Sequence, residues 1–526
     1  MRQVFRSAGL VVWLVGVMAG QTATVENAAV SNGLLSGFGY ISYAPPVAIL
    51  RLALAAQNVV SPGMLAAIYV PSATMSMKIW IRPSGSNTPI RVEVVSSTSG
   101  QTTFVVPRNM PLGGAEIEYQ AEGQPTGWTN VNVVAASFEF FRIGPGGPAI
   151  AQGIGPGGSV SPIGLTTPAQ SGQTIFLKGS GLGNVPFTVT VGGMPATVVA
   201  AAPHRANPGA EEIQIQIPPG VPDGCYVPVV LTYNGVAVTT TISKTSNGAA
   251  CVHPFQLSVA DMKTLDNGGT LTVGEIYMST TLQVATPAAA SRAENASVQF
   301  MPMAAADIAA FFSANQSAPG CQAVASTNVP TAIYLNGNFG VIWNSVNAGP
   351  SVFLQNRTNT LSLPGPGFYL ATLPQPTQGP LANPPAPAIA GGAWKWYSTG
   401  GPDLAATSFG FSLPAPFQLN GSGMISMIRN MDQILTWNGA AYDSGAMLNA
   451  NLQGRVTCTV PANSETLTIP AALLAQTPGN SLGSLSITVT EAGSSMPHAQ
   501  FRLQNGNTLL MLVNYATGET APVDFQ

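Results

Sequence analysis

The chain has 526 residues, only 7% of them charged, with 57 Gly, 44 Pro and a formal net charge of −3. Ordinary globular proteins carry roughly 25% charged residues, so solubility here rests on Thr, Ser and Asn, which suits many strands with polar outer faces. With 18 Lys and Arg against 21 Asp and Glu, no basic patch forms, which excludes nucleic acid as a partner, and the length allows two to four domains.

In chain order, residues 1–20 read as a secretory signal peptide. Arg2 and Arg6 supply the positive region, Ala8 to Met18 the apolar region, and Ala19, Gly20 and Ala23 the small residues of a cleavage site. The apolar run is short for a bilayer span, a retained N-terminal anchor being the alternative, and no cysteine follows it to carry a lipid. Val47 to Val70 is interrupted by Arg51, Gln57, Asn58 and Pro62, so no membrane span is expected once the signal is removed. The C-terminus carries no sorting motif. The expected localisation is secreted, periplasmic or extracellular.

Residues 21–44 are small and polar and are expected to form a flexible segment. From 45 to 142 the pattern is that of a first immunoglobulin-like sandwich: Met77 to Ile81, Ile90 to Val95, Thr102 to Val106, Ala115 to Tyr119 and Val131 to Val134 alternate like half-buried strands. Two Gly-Pro-Gly-Gly runs between Ile143 and Ser161 read as the join to a second sandwich, 143–251. There Gln173 to Lys178 alternates and runs into Gly179-Ser-Gly-Leu-Gly183. Phe187 to Val191 follows, then the turn Gly192-Gly193, Ala196 to Ala200, and the strict period-two stretch Glu212 to Ile217. Tyr226 to Tyr233 and Val236 to Ile242 form a hairpin across Asn234-Gly235, the strongest short hairpin signal. Short strands at this spacing, with no helical pattern between them, indicate a β-sandwich.

The order Gln173–Gly183, "VTVGGMPATVV" at Val189–Val199 and "IQIPPGVPDGCYVPVVLTYNGV" at Ile215–Val236 resembles an IPT/TIG-type domain. More narrowly, it is similar to modules repeated in large secreted proteins of soil bacteria. "VSPGMLAAIY" at Val60–Tyr69 and "TTFVVPRNMPLGGAEIEY" at Thr102–Tyr119 resemble a degenerate first copy that lacks the Gly-rich loop. The resemblance implies a scaffold or binding module, since no enzymatic activity is established for the family.

Four cysteines in an exported chain make two disulfides the expectation, with three pairings open. Cys225 opens one hairpin strand and Cys251 lies just past the next, which favours Cys225–Cys251 and leaves Cys321–Cys458. Modules with "GCYVPV" carry a matching cysteine, so the resemblance implies the same pair. Loop entropy would make the two bridges worth about 3.5 and about 5 kcal/mol as upper bounds. Zinc is the alternative, but no pair has C-x-x-C spacing.

Residues 252–526 read as a C-terminal β-domain, which a division near residue 390 would split in two. Its strands include Thr270 to Val273, Ile276 to Val284, Ser351 to Leu354, Gly367 to Leu370, Thr407 to Leu413 and Ser484 to Val489. Helices are expected at Asp307 to Ser313 and at Pro470 to Ala475, with Pro470 at the first helical position. Gln375 to Gly392 is a Pro/Ala/Gly-rich loop. "VNAGPSVFLQ", "GGAWKWYSTGGPDLAATSFGFSLP", "ILTWNG" and "VTCTVPANSETLTIPAALLA" resemble the accessory β-domain that follows such modules.

Tests for chemistry give no catalytic set. Gly479-Asn-Ser-Leu-Gly483 matches a nucleophile elbow as a string, but that elbow needs a strand before it and a helix after it, and the order here is reversed. Gly179 to Gly183 resembles a phosphate loop with its third glycine misplaced and no helix to follow. Glu116 and Glu118 share one strand face, whereas glycosidases set their carboxylates across a cleft, so the pair reads as a solvated face. His204, His253 and His498 match no metal pattern, and Asp266 to Gly269 lacks the alternating ligands of a calcium loop. No metal and no cofactor is expected.

Trp394, Trp396 and Tyr397, with Trp437 and Tyr442 near a hairpin turn, are the one cluster with a binding character. Flat indoles on one strand face could stack on sugar rings, or could pack a sandwich core. The fold class expected is all-β: tandem immunoglobulin-like sandwiches plus a larger C-terminal β-sandwich domain. The function expected is non-catalytic structural or binding work at the cell surface or in the matrix, on an unknown protein or polysaccharide partner. The alternative is a carbohydrate-binding accessory protein that uses Trp394, Trp396, Tyr397 and Trp437.

Overall fold

Alternation of β-branched and polar residues builds three packed regions of sheet. In the computed structural model the described residues are 24–27 and 59–526, apart from 70–76, 99–100, 122–125, 143–147, 205–206, 287–288, 314–319, 324–345, 366–367, 372, 374–385, 422, 454, 476, 478–481 and 492–495. The signal expected at 1–20 and Ser481 of the elbow-like string lie outside them. The fold is all-β.

In the first region two sheets face each other. One runs in the order Thr24–Asn27, Leu65–Tyr69, Gln101–Val105, Glu93–Thr98; the other Val59–Val60, Gly127–Val133, Gly113–Ala121, Met77–Pro83, Ile90–Arg91. Their inner faces supply a core that includes Ile68, Ile79, Ile81, Phe104, Ile117 and Val131. Thr24–Asn27 falls in the segment expected to be flexible, yet it pairs antiparallel with Leu65–Tyr69. The cause is the edge of that sheet, whose unpaired amides and carbonyls accept any extended segment.

The second region is likewise two sheets. Thr174–Ser180 lies between Ala151–Ile154 and Glu211–Gln216, facing a sheet built on Phe187–Val191, Gly224–Tyr233 and Val236–Lys244. The stretch expected to be a plain join carries two strands. Ala151–Ile154 turns back into Val160–Pro162, and Gly157 and Gly158, at φ of 73° and 80°, supply the left-handed positions of that turn. Glu139–Phe140, read from sequence as the end of the first sandwich, pairs with Gly179 and Ser180. Phe138 and Phe140 are buried in the second core. Burial of two aromatic rings decides where this segment docks.

The third region is knitted by one long strand. Thr508–Phe525 pairs in parallel with Thr270–Thr286 and antiparallel with His498–Arg502 and Leu482–Thr490. The two strands expected between Thr270 and Val284 are one continuous element, hairpinned to Ala289–Ala304. A four-stranded sheet in the order Thr360–Pro364, Ser351–Gln355, Gly392–Ser398, Thr407–Leu413 covers one face. A helix the sequence reading missed, Val259–Asp266, is capped by the Ser258 side chain, which accepts from the Asp261 amide. Helices at Ala305–Ser313 and Ala471–Leu474 match expectation, except that Pro470 is the N-cap.

Candidate functional site

The tryptophans singled out from sequence lie inside. In Gly392–Ser398 the alternation turns Trp394 and Trp396 inward, at 3% and 0% exposure, and Trp437 is 2% exposed with Tyr442 also buried. The Trp394 and Trp437 indoles donate to the carbonyls of Ala390 (2.8 Å) and Ala462 (2.6 Å), and the Tyr442 hydroxyl to that of Ala415 (3.0 Å). Trp396 packs against Phe409 and Phe501 at 6.3 and 5.9 Å between centroids. A sugar ring needs an indole face open to water, so these three rings form no platform. Tyr397 alone of the cluster points outward, stacked on Phe353 at 4.8 Å.

Four buried or half-buried carboxylates, Glu211, Asp266, Glu294 and Glu519, share a role. Glu211 accepts from the amides of Leu182 (2.7 Å) and Gly183 (3.3 Å). The Gly-rich loop that resembles a phosphate site is therefore an anion site filled from within the chain. Burial raises the Glu211 pKa, and the amides of the loop oppose that rise. Asp266 accepts from the amides of Leu165 and Thr166, both at 2.8 Å. Glu294 holds those of Ala388 and Ile389 at 3.0 and 2.9 Å, and Glu519 that of Leu419 at 2.9 Å. Each takes backbone donors outside any ladder, which would otherwise lose their partners on burial.

A second cluster joins the middle region to the third. The Cys225–Cys251 disulfide sits in an apolar group with Leu165 and Tyr226 on one side and Phe255, Met262 and Leu512 on the other. His253 is buried there. The Phe255 amide donates to its Nδ1 (3.1 Å), which places the ring proton on Nε2, 2.9 Å from the Tyr226 hydroxyl. Tyr226 stacks on Phe312 at 4.4 Å. Burial, and then His498, lower the His253 pKa to about 4, so the ring is neutral at ordinary pH. The second bridge, Cys321–Cys458, joins directly opposed residues of neighbouring strands.

Glu491 holds its proton well above the ordinary carboxylate range. Burial, and then Asp443, raise its pKa to about 7, and its Oε2 makes no hydrogen bond with any described residue. Among the described residues no three His, Cys, Asp or Glu side chains gather as a metal site. None of the described helices is long and apolar enough to cross a membrane. His204 bonds Asn207 through Nδ1, and His498 lies beside Phe255, 5.2 Å between rings.

Sequence reading missed two outward-facing aromatics, the half-buried Trp80 and the exposed Trp128. Trp80 and Trp128 stand on the outward face of the first region's five-stranded sheet, and Trp128 is 46% exposed. Register aligns Arg91, Trp80, Glu118 and Trp128 in one row across four strands. In the next row Arg82 pairs with Glu116, and its guanidinium lies 5.1 Å from the centre of the Trp128 ring. The signal was present: Trp80 has the opposite parity to Ile79 and Ile81, and Glu116 and Glu118 the opposite parity to Ile117 and Tyr119.

Comparisons with known proteins match residues 158–251 to the IPT/TIG domain family. No curated protein matches the chain. Among solved structures the chain is similar to Bacteroides ovatus SGBP-B, of a mixed-linkage glucan utilization locus, in complex with a mixed-linkage heptasaccharide: 15% identity over 50% of this chain and 69% of that one, TM-score 0.20. It is also similar to a Ca2+-stabilized adhesin that helps an Antarctic bacterium bind ice, at 11% identity over 89% and 96%, TM-score 0.12. A chimeric titin Z1Z2 matches at 12% identity over 36% and 92%, TM-score 0.13. At these identities and TM-scores none of the three bears on ligand or role.

Proposed function

We propose that the chain is an exported, non-catalytic binding and structural protein of the cell surface or surrounding matrix. The observation that carries this reading is the use of its scarce carboxylates. Glu211, Asp266, Glu294 and Glu519 each hold backbone amides, which serves rigidity rather than proton transfer to a substrate. Two disulfides support export, because such bridges persist in oxidising compartments. The Ig-like sandwich at 158–251 supports a scaffold, although fold by itself does not assign function. The carbohydrate-binding alternative loses the indoles of Trp394, Trp396 and Trp437 to the core and needs another surface.

Two assays test the two halves of the reading. Peptide mapping of the exported protein without reductant should recover Cys225–Cys251 and Cys321–Cys458, and full folding in the cytoplasm with reduced thiols would contradict export. Incubation with chromogenic glycoside, ester and peptide substrates should release no product above buffer. Turnover lost on Glu491→Gln would contradict the non-catalytic half.

A further inference from the structure

We propose that the outward sheet face around Trp80, Glu118 and Trp128 binds an extended, neutral, β-linked polysaccharide chain. The proposal rests on the binding reading above and gives it a site and a ligand class. Trp80 and Trp128 occupy the same register row on strands separated by Gly113–Ala121. Two inter-strand spacings place them about 10 Å apart, close to twice the length of one sugar residue. A chain laid across the strands therefore brings alternate residues over successive indoles, whose flat apolar faces suit the C–H faces of pyranose rings.

Arg82 stacks against Trp128 and is itself tied to Glu116. That pairing fixes the ring from one side and leaves 46% of the residue in solvent, so little conformational freedom is lost on binding. Glu118 stands between the two indoles, where a carboxylate accepts from a pair of sugar hydroxyls, and Arg91 beside Trp80 donates to another. The charges alternate in sign within the rows: Arg91 with Glu118, Arg82 with Glu116. An acidic chain would meet Glu116 and Glu118, and a basic one Arg82 and Arg91. A neutral chain meets donors and acceptors together, and that complementarity selects it.

The test is affinity electrophoresis of the full chain in gels containing hydroxyethyl cellulose, with polygalacturonate gels as the charged counterpart. Hydroxyethyl cellulose is expected to retard the wild type. Trp80→Ala and Trp128→Ala should each weaken that retardation at least fivefold, with the melting temperature unchanged at the 46%-exposed Trp128 and lowered only slightly at the half-buried Trp80. Glu118→Gln keeps the side-chain shape and should weaken it less than either. Retardation that survives the double variant W80A/W128A would overturn the site and leave the binding reading standing. Retardation by polygalacturonate alone would overturn the choice of a neutral chain. No retardation by any polysaccharide, with a protein partner bound through Trp128 instead, would overturn the ligand class.

Discussion

At the scale of single residues, the aromatics divide by the parity of their strand position. Trp396 is wholly buried among Phe409 and Phe501, so Trp396→Ala leaves a large cavity and should cost about 3–5 kcal/mol. Thermal unfolding should show a melting temperature lower by several degrees, and an unchanged one would remove Trp396 from the core. Glu491 gives a pH signature of definite sign. Its folded pKa of about 7 stands above its ordinary value of 4.5, so its contribution is fully present below pH 4.5 and is lost as pH rises through about 7. Glu491→Gln should therefore raise the melting temperature at pH 8 and leave the acid end nearly unchanged. Equal effects at pH 4 and pH 8 would contradict the assignment.

At the scale of elements, most strands were legible because period two is a local property: Thr174–Ser180, Glu211–Gln216 and the hairpin at Asn234-Gly235 fall where the alternation puts them. The faces were legible in the same way: parity turns Trp80 and Trp128 outward and Trp394 and Trp396 inward. The long-range pairings were not legible. Nothing local tells that Glu139–Phe140 leaves the first sandwich for the second, or that Thr508–Phe525 ties four strands together. The carboxylate clamps were hidden for the same reason, since Glu211 and Leu182 meet only after folding. A fragment test follows from the first of these. Residues 137–251 retain Phe138 and Phe140 and should unfold cooperatively, while 143–252 loses both rings and should melt well below it by circular dichroism. Equal melting temperatures would mean that those rings add nothing to the second core.

At the scale of the whole molecule, the middle and third regions share an apolar seam around the Cys225–Cys251 disulfide. We propose that 252–526 folds as one unit, because Thr508–Phe525 pairs with strands drawn from both sides of residue 390. The buried His253 sets the response of the seam to acid. Its folded pKa of about 4 lies below the ordinary 6.5, so its contribution is present above pH 6.5 and is lost as pH falls toward 4. The size is on the order of 3 kcal/mol. Tyr226, His498 and, through its field on Tyr226, Asp266 are the ionisable groups that face it. Chemical unfolding of His253→Gln between pH 7 and pH 4 should show a flatter pH dependence than wild type, and a parallel one would remove His253 as the cause.

The central claim is that this is a rigid scaffold that binds rather than transforms what it meets. The most direct measurement is retention of the purified protein on a panel of insoluble matrix polymers, with the supernatant assayed for soluble product over the same hours. Saturable retention on at least one polymer, with no product that grows with time, is the predicted result. Product that accumulates in proportion to time and protein concentration, or no retention on any polymer, would contradict it.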